Sequence, residues 1–98
     1  MIKRELLKNS NQVKLTFVLP LDSTQPRTSV VGDFNQWDPK ATPLLKRSNG
    51  TASAAVTLPV GQRVRFRYYT ADGRWFNDEA ADAYELGDYG AEDCVVLL

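Results

Sequence analysis

The chain has 98 residues, 43% of them apolar and 24% charged. That length suits one domain, here expected over residues 1–98, with a core of its own, and the apolar fraction is too high for a disordered chain. Twelve basic and twelve acidic residues balance to zero, so the basic excess of a general nucleic-acid binder is missing.

In chain order, residues 2–7 read as a first strand. Val13, Leu15, Phe17 and Leu19 then alternate with Lys14 and Thr16, the period of two of a half-buried strand. Pro20 ends it, and residues 20–27 carry loop chemistry. Thr28-Ser29-Val30-Val31 is a short strand running into Gly32, and residues 38–43 are loop again. Residues 44–47 and 51–58 flank Ser48-Asn49-Gly50, where Asn-Gly suits the positive φ of a tight hairpin. Pro59-Val60-Gly61 turns the chain. Val64, Phe66 and Tyr68 alternate with Arg63, Arg65, Arg67 and Tyr69. Asp72-Gly73 makes a second hairpin into residues 74–77. Residues 78–91 are acidic and glycine-containing. They read as a long ordered loop, with one helical turn over 79–85 as the alternative. Residues 94–98 form a final apolar strand. About seven short strands separated by turn signals predict an all-β sandwich or small barrel, with no internal repeat.

Charge is unevenly spread along the chain. Residues 1–71 carry net +7 and residues 72–98 net −7. In a compact fold the two parts should neutralise each other, with a charged docking surface as the alternative. Cys94 is the one cysteine, so no internal disulfide forms and a reducing compartment is expected. The apolar run near Met1 is too short for a signal-peptide core, and no stretch approaches the roughly 20 apolar residues of a membrane span. These features predict a cytoplasmic domain without membrane contact.

Catalysis finds little support. The chain has no histidine, the commonest general base. Cys94 lies in an apolar strand, and the carboxylates cluster mainly in one loop. No glycine-rich phosphate loop occurs, and Asp78, Glu79 and Asp82 miss the spacing of a calcium loop. The expectation is a protein that is not an enzyme and uses neither cofactor nor metal. Binding chemistry is better served. If Val64, Phe66 and Tyr68 enter the core, Arg63, Arg65, Arg67 and Tyr69 form an outward stripe. The Asp72-Gly73 hairpin then returns Trp75 alongside Arg67 or Tyr69. An indole plate beside a guanidinium fork suits a sugar ring, which offers C–H bonds on its face and hydroxyls at its edge. The alternative, a buried Trp75 under solvated arginines, stays equally open. Trp37 sits in loop context, and composition leans towards its burial at one end of the sandwich.

Val30-Val31-Gly32-Asp33-Phe34-Asn35-Gln36-Trp37-Asp38, followed by Thr42-Pro43-Leu44, resembles the opening motif of the family-48 carbohydrate-binding modules. These occur as the glycogen-binding domain of AMP-activated protein kinase β subunits. They occur also as the early-set domain of isoamylases, pullulanases and glycogen-branching enzymes. The resemblance continues through Leu58-Pro59-Val60-Gly61, Phe66-Arg67-Tyr68-Tyr69, residues 72–78 and residues 90–96, covering about 13–98. It implies an immunoglobulin-like sandwich. It also implies binding of α-1,4-glucan by two tryptophans flanking a basic residue, which fall on Trp37, Trp75 and Arg67. Tyr69 and Asn77 join this set as neighbours. The family's sugar-bonding asparagine is replaced by Asp93 or Glu92, which accept hydrogen bonds from hydroxyls but donate none. Its leucine contact carries over weakly to Leu86. The family also supplies an alternative, a scaffold or adaptor on a glycogen-metabolising enzyme or another protein, without a glucan site. Single-stranded nucleic acid is the least favoured partner.

Overall fold

The computed structural model describes residues 1–8, 10–20, 27–87 and 90–98. Among them nine strands form: β1 (Ile2–Leu6), β2 (Gln12–Pro20), β3 (Thr28–Gly32), β4 (Leu45–Lys46), β5 (Thr51–Pro59), β6 (Arg63–Thr70), β7 (Trp75–Phe76), β8 (Ala83–Leu86) and β9 (Glu92–Leu97). A single 3-10 turn, Asp33–Asn35, follows β3. The strands make two antiparallel sheets, ordered β1-β2-β5-β4 and β3-β6-β9-β8, with β7 paired to β6 beside the second. The order 1-2-5-4, with the third and sixth strands moved to the facing sheet, is that of an immunoglobulin-like sandwich. The expected all-β fold is therefore the observed one.

Alternation decides which side chains meet between the sheets. Val13, Leu15 and Phe17 of β2 face Val64, Phe66 and Tyr68 of β6, and all six are buried. Phe17 and Phe66 meet edge to face at 4.8 Å, and Phe66 meets Tyr68 at 5.6 Å. Val30, Leu44, Ala54, Cys94 and Val96 complete this core. Each large side chain so removed from water contributes roughly 1.5–3 kcal/mol. Tyr68 brings a polar tip inside, and its hydroxyl donates to Asp78 Oδ2 at 2.6 Å. Asp78 is itself buried, and its Oδ1 accepts the Ala80 N–H at 2.8 Å. That pairing satisfies both groups and pins the start of the acidic segment to the core.

Both expected hairpins form through three-residue loops that end in a left-handed glycine, a common hairpin geometry. Gly50 has φ +80° and Gly73 has φ +89°, while Asn49 stays out of the left-handed region. At one side of the sandwich, Val30 N–H donates to Thr42 O and Leu44 N–H to Thr28 O, before the chain passes into β4 on the other sheet. At the opposite side, Arg4 of β1 pairs with Asp82, just before β8.

The acidic segment departs from expectation. A four-residue strand, β8 (Ala83–Leu86), forms inside the predicted loop, and no helical turn forms over 79–85. It pairs with β9 from Ala83↔Val95 to Leu86↔Glu92, and this pairing starts β9 at Glu92 rather than Cys94. The strand exists because β9 needs a partner beyond β6, and because Glu85 lands beside Arg63 and Arg65. Neither cause is local to the segment. Most of the predicted 20–27 loop, and positions 88–89 of the acidic segment, lie outside the described residues.

Candidate functional site

β6 crosses the middle of its sheet, so its odd-numbered residues Arg63, Arg65, Arg67 and Tyr69 point away from the core. Val31 stands opposite Arg67, and Val95 opposite Arg65. Both valines are buried, yet neither belongs to the inter-sheet core. The outer face therefore has an apolar floor of its own beneath a polar rim.

The Asp72-Gly73 hairpin places Trp75 directly opposite Tyr69. Their rings lie 4.5 Å apart, tilted by 50°. Arg67 Cζ is 5.6 Å from the centre of the Trp75 ring, within cation–π range. Arg67 Nε donates to Asn77 Oδ1 at 3.1 Å, and Asn77 Nδ2 donates to the Glu92 carbonyl at 2.9 Å. Trp75 keeps 44% of its surface exposed, which resolves the open choice between core and surface in favour of the surface.

Of the three arginines of the stripe, Arg63 and Arg65 share Glu85 and Arg67 does not. Arg63 pairs with Glu85. Arg65 pairs with Asp93 at 3.1 Å and donates to the Leu86 carbonyl at 3.2 Å. Arg67 makes no ion pair among the described residues, where its hydrogen-bond partner is Asn77. The Asp93 side chain is only 13% exposed and is held by Arg65. Leu86 is the most exposed large apolar residue on β8, at 71%.

Trp37 reaches the surface by another route. The lean towards its burial is wrong, since 39% of it is exposed. After the 3-10 turn, Gln36 and Trp37 both adopt left-handed backbone, with φ 57° and 56°. Such a conformation costs a non-glycine residue roughly 1–2 kcal/mol. The Trp37 N–H donates to Gly32 O at 2.9 Å, which ties its backbone to the end of β3.

The structure thus brings Arg67, Tyr69, Trp75 and Asn77 into one contact group. Asp93 and Leu86 lie beside it, linked through Arg65. Among the described residues Trp37 makes no ring or cation–π contact with the group. Sequence reasoning left Arg65 in the outward stripe without a role, and only the Glu85↔Asp93 pairing reveals its partners. Cys94 offers no nucleophile. Burial pushes its thiol up to about 11, away from the reactive thiolate. Among the described residues no cluster of three metal-ligating side chains occurs, and no helix is long and apolar enough to cross a membrane.

The chain is similar to part of a glucan-branching enzyme. The 1,4-alpha-glucan branching enzyme GlgB 2 of Xanthomonas campestris pv. campestris is 41% identical over 49 residues. The match takes in 49% of this chain and 7% of the enzyme. The enzyme of the same name from a second strain matches to the same extent. The chain spans a small fraction of the length of these relatives. No protein-family model matches it.

Proposed function

We propose that this protein binds α-1,4-glucan without catalysis, stacking sugar rings on Trp75 and Trp37 beside Arg67. The observation that carries this reading is the exposed Trp75 plate, set by the hairpin against Tyr69 and against an arginine that has no ion pair among the described residues. The partial similarity to a glucan-branching enzyme supports the ligand class. Asn77 engages the arginine at Nε, which leaves the two terminal nitrogens as the guanidinium donors for sugar hydroxyls in this reading.

Magnitudes indicate weak binding. Two indole faces covering ~100 Å² of sugar each supply roughly 5 kcal/mol before ordering costs. A net of about 4–6 kcal/mol corresponds to a dissociation constant between about 1 mM and tens of μM. A polymer compensates through many sites along one chain.

The test is affinity electrophoresis in glycogen, backed by calorimetric titration with maltoheptaose. The wild type is retarded, and Trp75→Ala and Trp37→Ala each weaken binding about tenfold or more while circular dichroism stays unchanged. Unretarded wild-type protein, with no heat at millimolar maltoheptaose, sinks the reading. Recovery of one protein partner by a chain that ignores glycogen would favour the scaffold instead.

A further inference from the structure

We propose that Asn35 is the positioning residue that holds Trp37 on display, with Thr42 as its outer anchor; the role in glucan binding rests on the function proposed above. Two consecutive non-glycine residues in left-handed backbone persist only where the surroundings over-determine them. At Gln36 and Trp37 those surroundings converge on one buried amide. Asn35 Oδ1 accepts the Gly32 N–H at 3.0 Å. Its Nδ2 donates to Val30 O at 3.1 Å and to Thr42 Oγ1 at 3.0 Å. Asn35 is only 8% exposed, so none of these bonds is readily replaced by water.

The amide joins two stretches that flank the loop. Val30 and Gly32 end β3, and Thr42 opens the segment that lies against β3's edge through Val30 N–H to Thr42 O. Between these clamps, Trp37 N–H donates to Gly32 O and Asp38 N–H to Asn35 O. Asp38 in turn takes the Lys40 N–H on Oδ1 and the Ala41 N–H on its carbonyl. The β3 end of the clamp has nowhere to move. A Cβ on Gly32 would lie 2.5 Å from the Arg65 carbonyl oxygen, so the two backbones are already in close contact. The strained pair is thereby held in one geometry, and the indole meets a ligand already ordered. Preorganisation of this kind lowers the cost of binding.

The experiment uses the full chain with Trp75→Phe, which leaves Trp37 as the sole indole. Asn35→Asp keeps the shape and the acceptor but loses both donated bonds. Thr42→Val removes the outer anchor alone and tests the clamp should Asn35→Asp not fold. Time-resolved anisotropy and acrylamide quenching report the motion and exposure of Trp37, and circular dichroism reports the fold. In folded variants the fast anisotropy component grows and quenching rises. With Trp75 present, the same changes weaken maltoheptaose binding roughly threefold to tenfold, and Thr42→Ser restores both readouts. Folded Thr42→Val protein with unchanged Trp37 anisotropy overturns the assignment. A wild type that ignores maltoheptaose overturns the glucan reading instead, while the anisotropy still decides the positioning role.

Discussion

At Gly32 a side chain has no room. An added Cβ would lie 2.5 Å from Arg65 O, 2.7 Å from a Phe34 ring carbon and 3.0 Å from Phe66 Cβ. The nearest of these is backbone and cannot rotate away. Gly32→Ala is therefore expected to cost more than about 2 kcal/mol by urea denaturation. Cys94 predicts a pH dependence. Burial first, and then the nearby carboxylates, hold its folded value at about 11. An unfolded cysteine releases its proton near 8.5. Stability from this group is thus complete below about pH 8.5 and is lost as pH rises towards about 11. Burial and the Asp78 hydrogen bond also push the Tyr68 phenol up, which adds a second loss above its ordinary value of about 10. Urea midpoints should hold from neutral pH to about 8.5 and then fall, and Cys94→Ala should delay the onset. The Gly32 motif was legible in the chain as a flag, and so was the outward parity of Arg67. The exposure of Trp37 was not, because an indole in a loop is compatible with either environment until its backbone angles are known.

At the scale of elements, the β6–β7 hairpin carries the site. Its loop closes through Gly73 N–H to Thr70 O and Thr70 N–H to Arg74 O, both at 2.9 Å. The left-handed angle at Gly73 sets the register that places Trp75 on Tyr69. Gly73→Val should cost about 1–2 kcal/mol and accelerate hydrogen exchange at Thr70 and Arg74, with glycogen retardation lost in step. Tyr68→Phe should cost about 1–3 kcal/mol in thermal or urea unfolding, because it removes a donor from the buried Asp78 carboxylate. The hairpin was legible because Asp-Gly is a local signal flanked by alternating residues. β8 was not, since Ala83-Tyr84-Glu85-Leu86 carries no strong strand signal and is ordered by β9 and by the arginines of β6.

For the whole molecule, the charge asymmetry along the chain becomes an internal match. Arg4–Asp82, Arg63–Glu85, Arg65–Glu85 and Arg65–Asp93 all join the basic part to the acidic part. Among the described residues, Arg74–Asp72 is the ion pair that stays within one part. Most of these side chains are about one-third exposed or more, so each pair contributes less than about 1 kcal/mol and is screened by salt. Raising NaCl to about 1 M should therefore lower the unfolding free energy by no more than about 2 kcal/mol in total. Within this, Arg65–Asp93 should resist best, since the Asp93 side chain is 13% exposed. An Asp93→Asn variant compared at low and high salt checks that ranking.

Local chemistry by itself determined the all-β class, both hairpins, the inward set of β2 and β6, and the outward stripe that contains Arg67 and Tyr69. Period-two alternation and glycine turns act over a few residues, so one chain is enough to read them. The tertiary structure alone decided that Trp75 lies on Tyr69 with Arg67 bonded to Asn77, that Asp93 is held by Arg65, and that Asn35 clamps the loop bearing Trp37. Each of those depends on which strands become neighbours across the sheet, and that choice is made by burying the common core.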